Sequence, residues 1–575
     1  MPWRRSAWRR SLLPADQAVP SGGVATADEV LDELVRQRFQ HVMQRFPVFA
    51  TYMGLHEHDH RLADGTRDAI EQDIADSRHF LTQLESIEPA LLSVANRVER
   101  DLAMHATRRQ VFDDDVHRVW ERRGLASDEL GDGIFLLFAR ESRPLAERLP
   151  AISSRLEAAS RLMDEHRTRM GERPMRLWNE MELQAVGSLP SLFGDIQTAA
   201  EAELGDDHAE VSRLRGASAS ARQVLEEYAG WLRGQLSRAD DDYALGGERY
   251  EELIELRALD GLSGDEIMDI GQQQLEENRR ARQRVAQDID STATETEVLD
   301  RIKSDHPANF EEALDGYRRA MAEARQFVLD HDIATMPQKE ELLVIPTPEY
   351  LRNTMPFAAY FSPARFEPQQ QGIYIVTPSV DGDAGALREH NYASMYNTSI
   401  HEAYPGHHQQ LTAANANPSL TRPLVDAPEF VEGWAMYCEQ MMREQGFDDS
   451  PEHRLMMYTD AIWRACRIIL DVQLHRGDIG VADAVDFLVK ETGFERPNAA
   501  AEVNRYTYTP TYQFSYLLGK VLLLRLRDDE RARLGQAFSL GRFHDALMAA
   551  GSIPISFHRR LLAEGRADAP PGEAA

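Results

Sequence analysis

Two cysteines in 575 residues, Cys438 and Cys466, leave no room for a disulfide framework, and both fall in stretches with helical patterning. No apolar run approaches the ~18 residues that a bilayer-spanning helix needs, which excludes a membrane span. Aromatic residues are only 8% of the chain. Basic residues are outnumbered, with 64 Lys and Arg against 95 Asp and Glu, and the formal charge of -31 repels phosphate backbones and anionic lipid. Nucleic acid is therefore excluded as a partner. What remains is 42% hydrophobic and 28% charged, with a mean hydropathy of -0.48, the profile of a soluble, helix-rich globular protein expected in the cytoplasm. The length admits several domains or one large two-lobed enzyme.

The one basic cluster, Arg4, Arg5, Arg9 and Arg10, lacks the apolar segment that a secretory signal requires after it, so residues 1–25 are expected to be a disordered leader. From 26 to 335 the pattern is amphipathic helix, as in "ADEVLDELVRQRFQHVMQRF" and "FEEALDGYRRAMAEARQFVLDH". Near 336 the texture changes. "LLVIPTPEYL" and "GIYIVTPS" are short, β-branched, proline-bounded runs that predict strands. Helical pattern then resumes, so residues 336–565 read as a second lobe and 566–575 as a disordered tail.

Two histidine-rich stretches compete for a metal site. The literal H-E-x-x-H string is His56-Glu57-His58-Asp59-His60, but it follows a glycine, is polar throughout and runs into Asp-Gly, so it predicts a solvated turn. The other is "SIHEAYPGHHQQL", residues 399–411. In an unbroken helix His401 and His407 would lie ~9 Å apart along the axis and ~120° apart around it, and His401 and His408 ~10.5 Å apart, too far in either case to share an ion. Pro405 cannot bond to the carbonyl of His401, and Gly406 tolerates distortion. If two residues loop out there, His407 returns to the position of a fifth-residue histidine while Glu402 still addresses the ion. Spacing alone leaves a second reading open, in which the helix ends at Tyr404 and His407 and His408 are solvated.

A catalytic zinc takes three protein ligands and keeps one position open. "APEFVEGWAMYCEQ" offers Glu429, Glu432 and Glu439. Glu432 has the most apolar surroundings and so needs a partner, which makes it the candidate ligand; Glu439, two turns on along the same face, is the candidate carboxylate for orienting a histidine.

Taken in order, H-E-x-x-P-G-H-x-x-Q (His401, Glu402, Pro405, Gly406, His407, Gln410), E-G-W-A-x-Y (Glu432 to Tyr437) and a proline-led Y-x-x-G-K (Pro510, Tyr516, Gly519, Lys520) resemble the large bacterial family known as domain of unknown function 885. The likeness extends to "FPVFATYMGLHEHDHRL" and covers roughly residues 25 to 565. That family is similar to helix-rich, gluzincin-like zinc metallopeptidases. The resemblance implies a mainly α, two-lobed, zincin-like fold with a small β-sheet next to the active-site helix. It also implies one zinc ion per chain on His401, His407 and Glu432, Glu402 as general base, and Gln410 behind the ligands together with Glu439.

The expected reaction is hydrolysis of a peptide bond by a water that Glu402 deprotonates. The tyrosine cluster supplies Tyr516 and Tyr506 as candidate donors to the developing oxyanion. The strand around Tyr374 and Val376 is a candidate edge for pairing with an extended peptide, and Arg525 a candidate for holding a substrate carboxylate. The bulk charge suggests an acidic cleft that favours basic peptides. Two rival functions share these residues: a zinc amidohydrolase acting on a small non-peptide amide, and a non-catalytic helical binding protein that keeps the fold. The intact Glu402 favours an enzyme. Oligomeric state is not encoded in any local pattern.

Overall fold

The computed structural model describes residues 25–140, 143–347, 352, 358–378 and 386–564; the expected tail, and the expected leader save residue 25, lie outside the described residues. The chain is mainly helical with one small sheet. Ala27–Arg45 starts at a capping box in which the Thr26 side chain accepts from the Glu29 N–H and the Glu29 side chain reaches back, and it buries Leu31, Phe39, Val42 and Met43 on one face. The long helices Arg176–Leu204 and Ala209–Gln235 pack with Leu145–Glu157 around a core that includes Leu149, Ile152, Phe193, Ile196 and Tyr228.

The largest core gathers the helices Gly264–Ile289, Phe310–Asp330, Pro428–Glu444, Pro451–Arg476 and Ser515–Leu534. It runs without interruption from Tyr250 to Leu562. The expected division near 335 therefore marks a change of secondary structure and not a break in the core.

Both expected strands form, as β1 (Glu340–Pro346) and β3 (Gln370–Val376), and a third that the sequence did not announce, β2 (Ala358–Phe361), completes the sheet. The order is β1-β3-β2, with β1 parallel and β2 antiparallel to β3. Tyr374 pairs with Val344 on one side and Tyr360 on the other, and Val376 with Pro346 and Ala358. The expectation that Tyr374 and Val376 form a substrate edge is thereby corrected. Their strand is central, so its backbone donors and acceptors already serve two neighbours, and both side chains are fully buried.

Candidate metal centre

The histidine stretch resolves as two helices joined by a bulge. Tyr392–Glu402 is N-capped by Asn391, whose side chain accepts from the Ser394 N–H, and the chain resumes helix at His407–Asn415. Between them the ladder changes span: the Gly406 N–H bonds the Ile400 carbonyl at 3.1 Å and the Gln409 N–H bonds the Ala403 carbonyl at 3.2 Å, six residues back in place of four. Two residues are thus looped out. Gly406 is required at this point, because a Cβ there would sit 1.9 Å from the His401 carbonyl oxygen. The indole N–H of Trp434 donates to the Pro405 carbonyl at 2.8 Å and ties the bulge to the next helix.

The result is that the rings of His401 and His407 meet edge to face, 4.8 Å between centroids. Their Nε2 atoms lie 3.7 and 3.3 Å from Glu432 Oε2. These three residues are the one group of His, Cys, Asp or Glu ligand atoms among the described residues arranged to hold a metal ion, with all three atoms within 4.8 Å of one another. Glu432 rises from Pro428–Glu444, which crosses Ser515–Leu534 at a glycine pair. A Cβ on Gly433 would fall 2.6 Å from Gly519 Cα, and one on Gly519 would fall 1.9 Å from the Glu429 carbonyl oxygen. This close approach brings the tyrosines to the glutamate. Tyr512 donates its hydroxyl to Glu432 Oε1 at 3.1 Å, and the Tyr516 hydroxyl lies 3.4 Å from that of Tyr512.

Behind the ligands, Glu439 accepts from His401 Nδ1 at 2.7 Å and from the Asn397 amide at 3.1 Å, which fixes the tautomer that leaves His401 Nε2 facing Glu432. Burial opposes a charge on His401, but the adjacent carboxylates of Glu432 and Glu439 outweigh it and push its pKa up to about 10. Glu432 is likewise opposed by burial, yet the charges of His407 and His401 hold it well below the usual carboxylate range. Burial, then the negative charge of Glu432, raises Tyr512 and puts Tyr516 at about 12, so both keep their protons as donors.

A metal fits this set. Two imidazoles and a carboxylate are the donors of one catalytic zinc class. Glu432 Oε2 and His407 Nδ1 are buried without a hydrogen bond, a cost that an ion on Glu432 relieves in part. Glu402 is half-buried at the end of the same helix as His401.

The other sequence candidates land elsewhere. His408 is turned away: Nε2 donates to Glu340 Oε2 and Nδ1 pairs with the Tyr360 hydroxyl, both at 2.9 Å. Gln410 is buried, and its amide donates to Ser552 Oγ and not to a ligand. Tyr506 is corrected as an oxyanion donor, since its hydroxyl donates to Glu502 and accepts from Arg467 and Trp463. Arg525 is exposed on its helix, where it meets solvent and not substrate.

Tyr512 was missed. It sits in a turn held by buried Asp471, whose carboxylate accepts from the Thr511 and Gln513 N–H groups at 2.9 and 3.1 Å, with Thr511 at a positive φ of 67°. Asn397 was also missed, although its place four residues before His401 puts it on the same helix face.

A cavity of about 700 Å³ opens beside the centre, with Glu432 and Tyr512 on its wall. Its lining also includes Val35, Arg38, Val42, Phe46 and Phe49 from the N-terminal helices.

Known structures share this fold. One, a candidate lipoprotein of unknown function from Shewanella oneidensis, is 22% identical, with a TM-score of 0.76, and the match covers 94% of this chain and all of that one. Another, a candidate lipoprotein from Colwellia psychrerythraea, is 17% identical with a TM-score of 0.82 over 95% of this chain and all of that one. No curated protein matches the sequence. The family described as "Bacterial protein of unknown function (DUF885)" matches residues 47–562, nearly the whole chain, and the protein belongs to that family.

Proposed function

We propose that the protein is a zinc-dependent hydrolase of peptide bonds, with a two-lobed, gluzincin-like arrangement of its catalytic groups. The observation that carries this reading is the bulge that returns His407 to His401 and Glu432 while leaving Glu402 in the sequence position of a general base. His401, His407 and Glu432 would hold one zinc ion, which when bound supplies a Lewis acid for the carbonyl and lowers the pKa of water. Glu402 takes the proton of the attacking water and delivers it to the leaving amine. Tyr516, protonated, donates to the carbonyl oxygen as charge develops on it, while Tyr512 gives its hydroxyl proton to Glu432 and holds that carboxylate in place. Glu439 and Asn397 keep His401 oriented throughout.

A small non-peptide amide would undergo the same chemistry; the size of the adjoining cavity favours a peptide. A purely binding role leaves Glu402 without a purpose. We place the activity in the cytoplasm, and the likeness to candidate lipoproteins sets a membrane-anchored alternative that cell fractionation decides.

The test is metal content by mass spectrometry on wild type, His407→Ala and His408→Ala, together with cleavage of a mixed peptide library. About one zinc per chain, lost with His407 and kept with His408, with cleavage by the wild type only when loaded, is the expected result. No metal after zinc reconstitution would overturn the proposal.

A further inference from the structure

Four arginines line the cavity beside the candidate metal centre. Two are neutralised: Arg109 pairs with Asp113 at 3.0 Å and Arg422 with Glu99 at 2.8 Å. The other two, Arg38 and Arg365, make no ion pair among the described residues, although acids outnumber bases by half in this chain. Arg38, on the N-terminal wall, donates to the neutral partners Ser77 and Gln110.

Arg365 is the less compensated of the two. One of its terminal nitrogens donates to the carbonyls of Asn417 and Ser419, and its other nitrogens have no protein partner among the described residues. Burial pulls its pKa down to about 10 and the neighbouring Arg422 adds repulsion, which Glu99, engaged with Arg422, offsets only in part. A half-buried guanidinium that faces a cavity and spends only one nitrogen on protein carbonyls can receive an anion there through its remaining donors.

The position of Arg365 sets what that anion belongs to. Asn417 lies two residues past the end of the helix that His407 begins. Arg365 therefore meets the cavity near the end of that helix remote from His407.

We propose that Arg365 anchors the terminal carboxylate of a short peptide, so that the substrate is an oligopeptide cut upstream of its free carboxyl end. This rests on the hydrolase reading for the cut but not for the binding. It also replaces the expectation of an acidic cleft selective for basic peptides, because the groups that face this cavity include as many arginines as acids: Arg38, Arg109, Arg365 and Arg422 beside Asp113, Asp114, Asp426 and Glu432.

The experiment compares three hexapeptides of one sequence: free carboxyl end, amidated end, and amidated end with aspartate as the last residue. Binding is measured by calorimetry on metal-free protein, so that no turnover intervenes. Cleavage is measured separately with zinc-loaded protein. The free acid is expected to bind at least tenfold more tightly than the amide. Arg365→Gln should bring its affinity down to that of the amide, and Arg365→Lys should keep part of the difference. Equal binding of acid and amide by wild type, or a preference that survives Arg365→Gln, would overturn the proposal. Full recovery by the aspartyl amide would overturn the assignment to a terminal carboxylate. Selective binding of the acid without any cleavage would sink the hydrolase reading and leave the subsite standing; cleavage without acid preference would do the reverse.

Discussion

The protein carries two histidine-rich stretches, and the one with the better string has the worse site. His56 to His60 spell H-E-x-x-H without interruption, yet the segment is a turn. His56 bonds Asp59 at 2.9 Å and reaches Glu367, beyond β2, at 2.5 Å, while Arg143 donates to the same Asp59 at 2.7 Å. That stretch is a clasp between the N-terminal helices and the sheet. His401 to His407 break the string by two residues and still converge on Glu432, because a bulge removes the surplus. What selects ligands is the direction in which backbone geometry sends each ring, and a motif is only a proxy for that direction.

The comparison can be broken most severely at the ligands. His401→Ala or His407→Ala should abolish stoichiometric zinc and lower peptide hydrolysis at least 10³-fold, whereas His56→Ala and His60→Ala should leave metal content unchanged. Zinc retained by His407→Ala would erase the distinction between the two stretches.

Next in size is the glycine that shapes the bulge. Gly406→Ala places a methyl against the His401 carbonyl and should cost about 3 kcal/mol or more, read from denaturant unfolding, with loss of zinc. Gly54, just before the other stretch, has a φ of 83° and would bring a Cβ within 3.2 Å of the Glu367 backbone nitrogen, so Gly54→Ala should cost about 2 kcal/mol and yet leave metal binding intact.

Carboxylates that hold a histidine sharpen the contrast further. Glu439→Gln should weaken zinc affinity about 10- to 100-fold in a chelator competition, and Glu367→Gln, its counterpart at His56, should not change it.

The smallest effect is electrostatic. Hydrogen bonds to Asp59 and Glu367 raise the pKa of His56 to about 9. Because the folded value lies above the unfolded 6.5, the clasp contributes fully below pH 6.5 and is lost as pH rises through 9. Wild type should therefore lose about 2 kcal/mol more than His56→Gln between pH 6 and pH 10, measured by urea midpoints. Parallel pH curves for the two proteins would contradict the clasp.

Much of the centre was legible where covalent geometry forces an outcome. Pro405 and Gly406 allowed a bulge and the spacing of 401 and 407 set the size it would need, although spacing alone did not separate it from a helix ending at Tyr404; Glu432 stood out by its apolar neighbours. The helical pattern and two of three strands followed from periodicity. What stayed hidden depends on distant partners. Tyr512 outranks Tyr506 only because Asp471, forty residues away, holds the turn that aims it. The strand around Tyr374 reads the same whether central or edge, and only β2, a four-residue run too short to signal, settles it. Arg365 gives no local sign that it lacks a carboxylate.

The glycine crossing of Gly433 over Gly519 has a consequence for how such a protein can diversify. It joins the helix that carries Glu432 to the helix that carries Tyr516 at near-contact distance of their backbones, which fixes the two side chains against each other. Much of the lining of the adjoining cavity comes instead from Ala27–Arg45, Pro47–Met53 and Val94–Phe112, a different part of the chain. Substitutions on those helices can redraw the outline of what the cavity admits while Glu432 and the tyrosines keep their alignment.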